Sequence, residues 1–158
     1  MFAIGDKVVY PMHGAGIIEA IEEREVLGEK RKYYIMRLPI GEMKVMVPMD
    51  NVGDLGLRQV IDEEGYERVI NILQDKKNTM CPNWNRRYRI NMEKIKSGNI
   101  YEVAEVVRNL SLRDKEKGLS TGEKKMLENA RQILISELVL AKNTEEGQVK
   151  VLLEKLLA

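Results

Sequence analysis

Apolar and polar residues alternate along the first third of the chain, and apolar residues recur every three or four positions along the rest. Lys7-Val8-Val9-Tyr10, Tyr33-Tyr34-Ile35-Met36 and Met43-Lys44-Val45-Met46-Val47-Pro48 fit half-buried strands with side chains on alternate faces. Pro11-Met12-His13-Gly14-Ala15-Gly16 and Pro39-Ile40-Gly41-Glu42 read as the turns between them. The segment from Ile17 to Val26 has helix-favouring Glu and Ala. Its length, the Gly28-Glu29 turn beyond it and the β-rich run that follows nevertheless make it a long bent strand. Near Asp54-Leu55-Gly56-Leu57 the period changes to 3.6. Leu57, Val60, Ile61, Tyr66, Val69, Ile70 and Leu73 then supply one helix, or two broken at Gly65. The breaker-rich run Asn78-Thr79-Met80-Cys81-Pro82 leads into a helix starting at Trp84 and ending near Ser97-Gly98. Asn99 caps the next, with Val103, Val106, Val107 and Leu110 on its inner face. Ser120-Thr121-Gly122-Glu123 has capping-box spacing and opens the longest helix, and a last amphipathic piece begins at Thr144.

These elements predict an α+β chain in two parts. A small, strongly bent sheet of the Tudor or SH3 kind occupies residues 1–56, and an all-helical domain occupies 57–158. Such a small sheet leaves at least one edge unpaired, where a partner strand can add.

Charge changes this picture more than composition does. The formal net charge is only +1, but residues 76–98 hold seven Lys/Arg with Glu93 as their single acidic residue. A local basic excess is the electrostatic footprint of nucleic-acid binding. Arg86, Arg87, Arg89, Lys94 and Lys96 cannot share one side of a helix, so part of this charge is ordinary surface. One cysteine, Cys81, and one histidine, His13, exclude a zinc site built from clustered Cys and His and fit a reducing compartment. No basic N-terminal region followed by an apolar run, and no membrane-length apolar stretch, is present. The expectation is a cytoplasmic protein without membrane contact.

Catalytic motifs fail on inspection. Gly118-Leu119-Ser120-Thr121-Gly122-Glu123-Lys124-Lys125 is one residue short of a phosphate-binding loop and has no hydroxyl residue after Lys124. Gly14-Ala15-Gly16 is read as a turn, His13 has no telling partner, and nothing around Cys81 would activate its thiol. The acidic run Glu22-Glu23-Arg24-Glu25 reads as a solvated face with Arg24 its odd member. A binding module is expected, with no enzyme activity, cofactor, metal or small-molecule substrate.

The sole tryptophan is the focus of that module. Asn83 suits an N-cap, which makes Trp84 the first helical residue, near the positive end of the helix dipole. Trp84, Tyr88, Met92 and Ile95 also form a helical stripe, so the residues alone leave Trp84 open as core or as contact. In the first case the helical domain would bind another protein; in the second, DNA or RNA.

Four segments together carry a resemblance. Val8-Val9-Tyr10-Pro11-Met12-His13-Gly14-Ala15-Gly16, Pro82-Asn83-Trp84-Asn85-Arg86-Arg87-Tyr88, Val103-Ala104-Glu105-Val106-Val107-Arg108-Asn109-Leu110 and Gly118 to Leu127, in this order, resemble the CarD family of bacterial RNA polymerase-binding transcription factors. The match is collinear and weakens after about Asn143. It implies a Tudor-like domain that adds its sheet edge to the RNA polymerase β subunit. It also implies a helical domain that contacts promoter DNA, without reading sequence, at the upstream edge of the melted region. The family's tryptophan, at Trp84 here, wedges into the minor groove and stabilises the open complex. Carried over by position, Arg86, Arg89 and Lys124 are DNA-contacting, and Arg24 lies on the polymerase side. Met46 stands where relatives carry arginine, and Lys44, two residues back on the same face, is the candidate to compensate.

Overall fold

The computed structural model describes residues 2–51, 55–76 and 80–158. Five antiparallel strands, β1 (Lys7–Tyr10), β2 (Gly14–Val26), β3 (Glu29–Arg37), β4 (Lys44–Pro48) and β5 (Arg58–Gln59), form one sheet in the order β4-β3-β2-β1-β5. Five helices follow: α1 (Glu63–Gln74), α2 (Trp84–Lys96), α3 (Ile100–Lys117), α4 (Thr121–Lys142) and α5 (Glu146–Leu156). The α+β class, with the sheet first and helices after it, is as expected.

Strand alternation divides the sheet into two unlike faces. Val8, Ile18, Tyr34, Met36 and Val47 point to one side and are closed over by Phe2, Met49, Leu55 and Leu57. Val9 and Ala15 point to the other side, where they meet Leu140 of α4. The helical core is larger, with Val69 and Leu73 of α1, Ile95 of α2, Val103 to Leu110 of α3 and Met126 to Leu138 of α4 packed together.

Several expectations are corrected. The chain does not turn helical at Leu57: Arg58 and Gln59 pair with Val9 and Val8 of β1, and Leu57 joins the sheet core. Helix α1 starts only at Glu63, where Asp62 accepts from the Gly65 amide at 2.8 Å, and it runs through Gly65 unbroken. Gly14 and Gly16 are strand residues rather than turn residues. A Cβ on Gly14 would lie 2.7 Å from Ser136 Oγ, and one on Gly16 would lie 2.7 Å from the Arg37 carbonyl. Both glycines let elements approach that side chains would hold apart. Asp54, Asn78 and Thr79, which carried the expected period change and the breaker run, lie outside the described residues.

Polar contacts join sheet to helices at α4. Glu137 is fully buried and accepts both terminal nitrogens of Arg58 at 2.7 and 2.8 Å, and the Ile61 amide at 2.9 Å. Arg58 Nε donates to the Gly98 carbonyl at 2.8 Å, tying in the α2–α3 connection. Ser136 Oγ accepts from the Ala15 amide at 2.9 Å, and Lys7 reaches the Leu140 carbonyl at 3.0 Å. The Arg58 fork thus satisfies a carboxylate that would otherwise be a costly buried charge.

Candidate functional site

Helix α2 begins at Trp84, as expected from Asn83, whose side chain accepts from the Arg86 amide at 3.0 Å. Being first on the helix, Trp84 overhangs the packed stripe that continues into buried Ile95 and keeps 42% of its surface exposed. It is nonetheless held in place. Its ring stacks on Tyr88 one turn along, with centroids 5.1 Å apart and an interplanar angle of 19°. The indole Nε1 donates to Ser120 Oγ at 3.1 Å, and the ring edge lies against Gly122. Ser120 is the N-cap of α4, accepting from the Glu123 amide at 3.2 Å. The N-termini of α2 and α4 therefore meet at the tryptophan, and two positive dipole ends converge there.

Beneath the ring, Arg87 and Glu123 form a buried bidentate ion pair, Nε to Oε2 at 2.8 Å and Nη2 to Oε1 at 3.0 Å. Arg87 Nη1 also donates to the Pro82 carbonyl at 3.0 Å, fixing the lead-in to α2. The guanidinium holds the Glu123 carboxyl below the usual carboxylate range against the opposing effect of burial. In turn the carboxylate pushes the Arg87 pKa up. Two sequence readings change here. Arg87, counted with the basic surface, is a core residue. The capping box is only half formed, because the Glu123 carboxylate is committed to Arg87.

Arg86, Arg89 and Lys124 are exposed, and none forms an ion pair among the described residues. At roughly 100° per residue, Arg86 and Arg89 lie on the side of α2 opposite Trp84. One duplex can touch all three only by approaching the N-terminal end of the helix. Lys94 is drawn away by Glu105 at 2.9 Å. Cys81 is a half-buried free thiol, and His13 stacks on Tyr10.

The second group of candidates lies on the sheet. Arg24 pairs with Glu22 of its own strand at 2.9 Å, Lys44 reaches Glu19 at 3.2 Å, and Met46 is 41% exposed opposite Ile35. The register puts Arg24, Lys44 and Met46 on one face, beyond the part that α4 covers. Strand β4 is an edge of the sheet. Among the described residues no cluster of His, Cys, Asp and Glu could hold a metal ion, and no helix is long and apolar enough to cross a membrane.

Comparison with known proteins matches both regions. Residues 2–61 match the family described as CarD-like/TRCF RID domain, and residues 68–154 match the CarD C-terminal domain. The chain belongs to the CarD family. It is 49% identical over 150 residues to the Bacillus subtilis (strain 168) protein named "Putative transcription factor YdeB", a match covering 95% of this chain and 98% of that one. A solution NMR structure of the 72-residue N-terminal domain of Myxococcus xanthus CarD is 39% identical, covering 37% of this chain and 79% of that one with a TM-score of 0.33. Within the two matched CarD regions lie both candidate groups, Arg24, Lys44 and Met46 in the first, and Trp84, Arg86, Arg89 and Lys124 in the second.

Proposed function

We propose that this CarD-family protein regulates transcription by binding the RNA polymerase β subunit through its sheet while wedging Trp84 into promoter DNA at the upstream edge of the melted region. The observation that carries this reading is the half-exposed Trp84 at the meeting of two helix N-termini, its ring angle fixed by Tyr88 and Ser120. A pre-set aromatic loses little conformational freedom on insertion. Exposed Arg86, Arg89 and Lys124 position it through phosphates, which carry no base information.

A factor shifts the closed-to-open equilibrium only as far as it binds the open state better. Unstacking a base step costs a few kcal/mol, and an inserted side chain offsets part of that cost. At ~1–3 kcal/mol for an aromatic stacked on a base, open complexes are favoured roughly five- to 150-fold. With a net charge of only +1, autonomous DNA binding is weak, and attachment to polymerase supplies local concentration.

The direct test is open-complex lifetime on a linear promoter under competitor challenge, with polymerase alone and with the protein added. The reading expects a longer lifetime with the protein. An unchanged or shorter one rejects it.

A further inference from the structure

On the Arg86 side of α2, away from the exposed indole, a cleft of about 320 Å³ opens between α2, α3 and the lead-in to α2. Arg86 and Ile90 stand one turn apart on its exposed rim, Met80 and Cys81 close one side, and buried Asn91 and Asn109 form its floor. A buried carboxamide ordinarily has its hydrogen-bonding groups engaged. Asn91 and Asn109 are only 2% and 1% exposed, yet each is only partly engaged. Asn91 Nδ2 donates to Met80 Sδ, a weak acceptor, at 3.3 Å, and Asn109 Oδ1 accepts from Arg108 Nε at 3.1 Å. No hydrogen bond among the described residues engages Asn91 Oδ1 or Asn109 Nδ2. Among the described residues, the unpartnered side-chain atoms sealed from solvent are Arg113 Nε and Thr144 Oγ1. The free ends of both asparagines therefore reach solvent, and the cleft they line is their opening. An apolar residue at either position would fill the same space and leave no polar atom unpaired.

The rest of the lining is divided between apolar wall and cationic rim. The Met80 thioether and Ile90 offer a polarisable apolar wall that suits a planar ring. Lys94 is shared with Glu105 at 2.9 Å, and Arg87 below is committed to Glu123, which leaves Arg86 as the rim cation without an ion pair. One fixed charge at the mouth thus faces a neutral interior that offers a donor and an acceptor. A bare inorganic anion would engage the mouth and leave the interior amides unpaired. A planar heterocycle carrying a phosphate engages both, because carboxamides match the donor and acceptor edge of a base and guanidinium matches phosphate. The volume lies at the low end of the roughly 300–1,000 Å³ typical of ligand clefts, which suits one nucleotide unit rather than two.

We propose that the α2–α3 cleft binds a single nucleotide unit, its base held by Asn91 and Asn109 against Met80 and Ile90 and its phosphate held at Arg86. This goes beyond the wedge and does not depend on it. A free mononucleotide and an unpaired base in a DNA strand present the same base edge and phosphate, and the two sources separate by experiment.

The test is calorimetric titration of the full chain with each ribonucleoside monophosphate, with inorganic phosphate, and with a short single-stranded DNA and its abasic counterpart. Wild type, Ile90→Phe and Asn91→Leu are compared, each checked for folding by circular dichroism, and the side-chain amide resonances of Asn91 and Asn109 locate the binding. Ile90 is on the exposed rim, so Ile90→Phe narrows the cleft without entering the core and decides alone if Asn91→Leu fails to fold. At least one mononucleotide is expected to bind about tenfold or more tightly than phosphate, or the strand about tenfold or more tightly than its abasic form. That binding is expected to shift both amide resonances and to weaken about tenfold or more in each folded variant, as when a buried polar group of the ligand loses its partner. A response to mononucleotides assigns a free ligand, and a response to the strand alone assigns an unpaired DNA base; either supports the inference. Phosphate binding as tight as any nucleotide, strand binding indifferent to the base, or binding that Ile90→Phe leaves unchanged overturns it. None of these results alters the open-complex lifetime, which tests the wedge separately.

Discussion

Arg87 and Glu123 bear on the site without touching solvent. Their ion pair sits where α2 begins, so the orientation of Trp84 depends on a charge pair that burial makes costly to leave half-made. Glu123→Gln leaves the Arg87 guanidinium buried without its counter-charge and should cost about 3–5 kcal/mol at neutral pH. The pH dependence has a definite sign. Because the folded Glu123 carboxyl titrates below its ordinary range, its stabilisation is complete above the unfolded value of about 4.3 and is lost as pH falls through the lowered folded value. Urea denaturation of wild type and Glu123→Gln at pH 7 and at pH 3 should therefore show a gap that narrows in acid. A constant gap would mean the ion pair contributes nothing.

Among the elements, the β2–β3 hairpin carries the clearest local strain. Its two-residue turn places Leu27 at φ 54° and Gly28 at φ 81°, the left-handed pair that a type I′ turn demands. Glycine accepts this readily, whereas leucine does so at roughly 1–2 kcal/mol, and Leu27 is also fully exposed. Leu27→Asn should raise Tm by roughly 2–4 °C, measured by thermal circular dichroism; a lowered Tm would show that Leu27 makes a stabilising contact.

Local periodicity made most elements readable. The Asn83, Asn99 and Ser120 caps mark helix starts because a short polar side chain before an apolar run has one common use. Strand β5 was not readable, because two residues hold no period and Arg58-Gln59 adopts a strand only by pairing with β1. The burial of Arg87 and Glu137 was equally hidden. Arginine and glutamate on a helix normally mean surface, and their partners lie 36 and 79 residues away in sequence. Trp84 was ambiguous for a related reason: its stripe is the buried one, and only its place at the helix end leaves it half exposed.

Across the whole molecule, α4 links the two candidate surfaces. Its N-cap, Ser120, holds the indole, and Ser136 and Glu137 hold the sheet through Ala15 and Arg58. From Ser120 to Ser136 the helix spans about 24 Å at about 1.5 Å per residue. If the sheet is fixed on polymerase as proposed, α4 carries the tryptophan at a set distance from it, with the Arg58–Glu137 fork limiting rotation between the two parts. In this account the sheet supplies attachment and Trp84 supplies the preference for melted DNA. The measurement that separates these roles is open-complex lifetime with wild type and Trp84→Ala, after both are shown to be folded and to bind polymerase equally. The account predicts that wild type lengthens the lifetime and Trp84→Ala does not. Equal lengthening by the two proteins would contradict it.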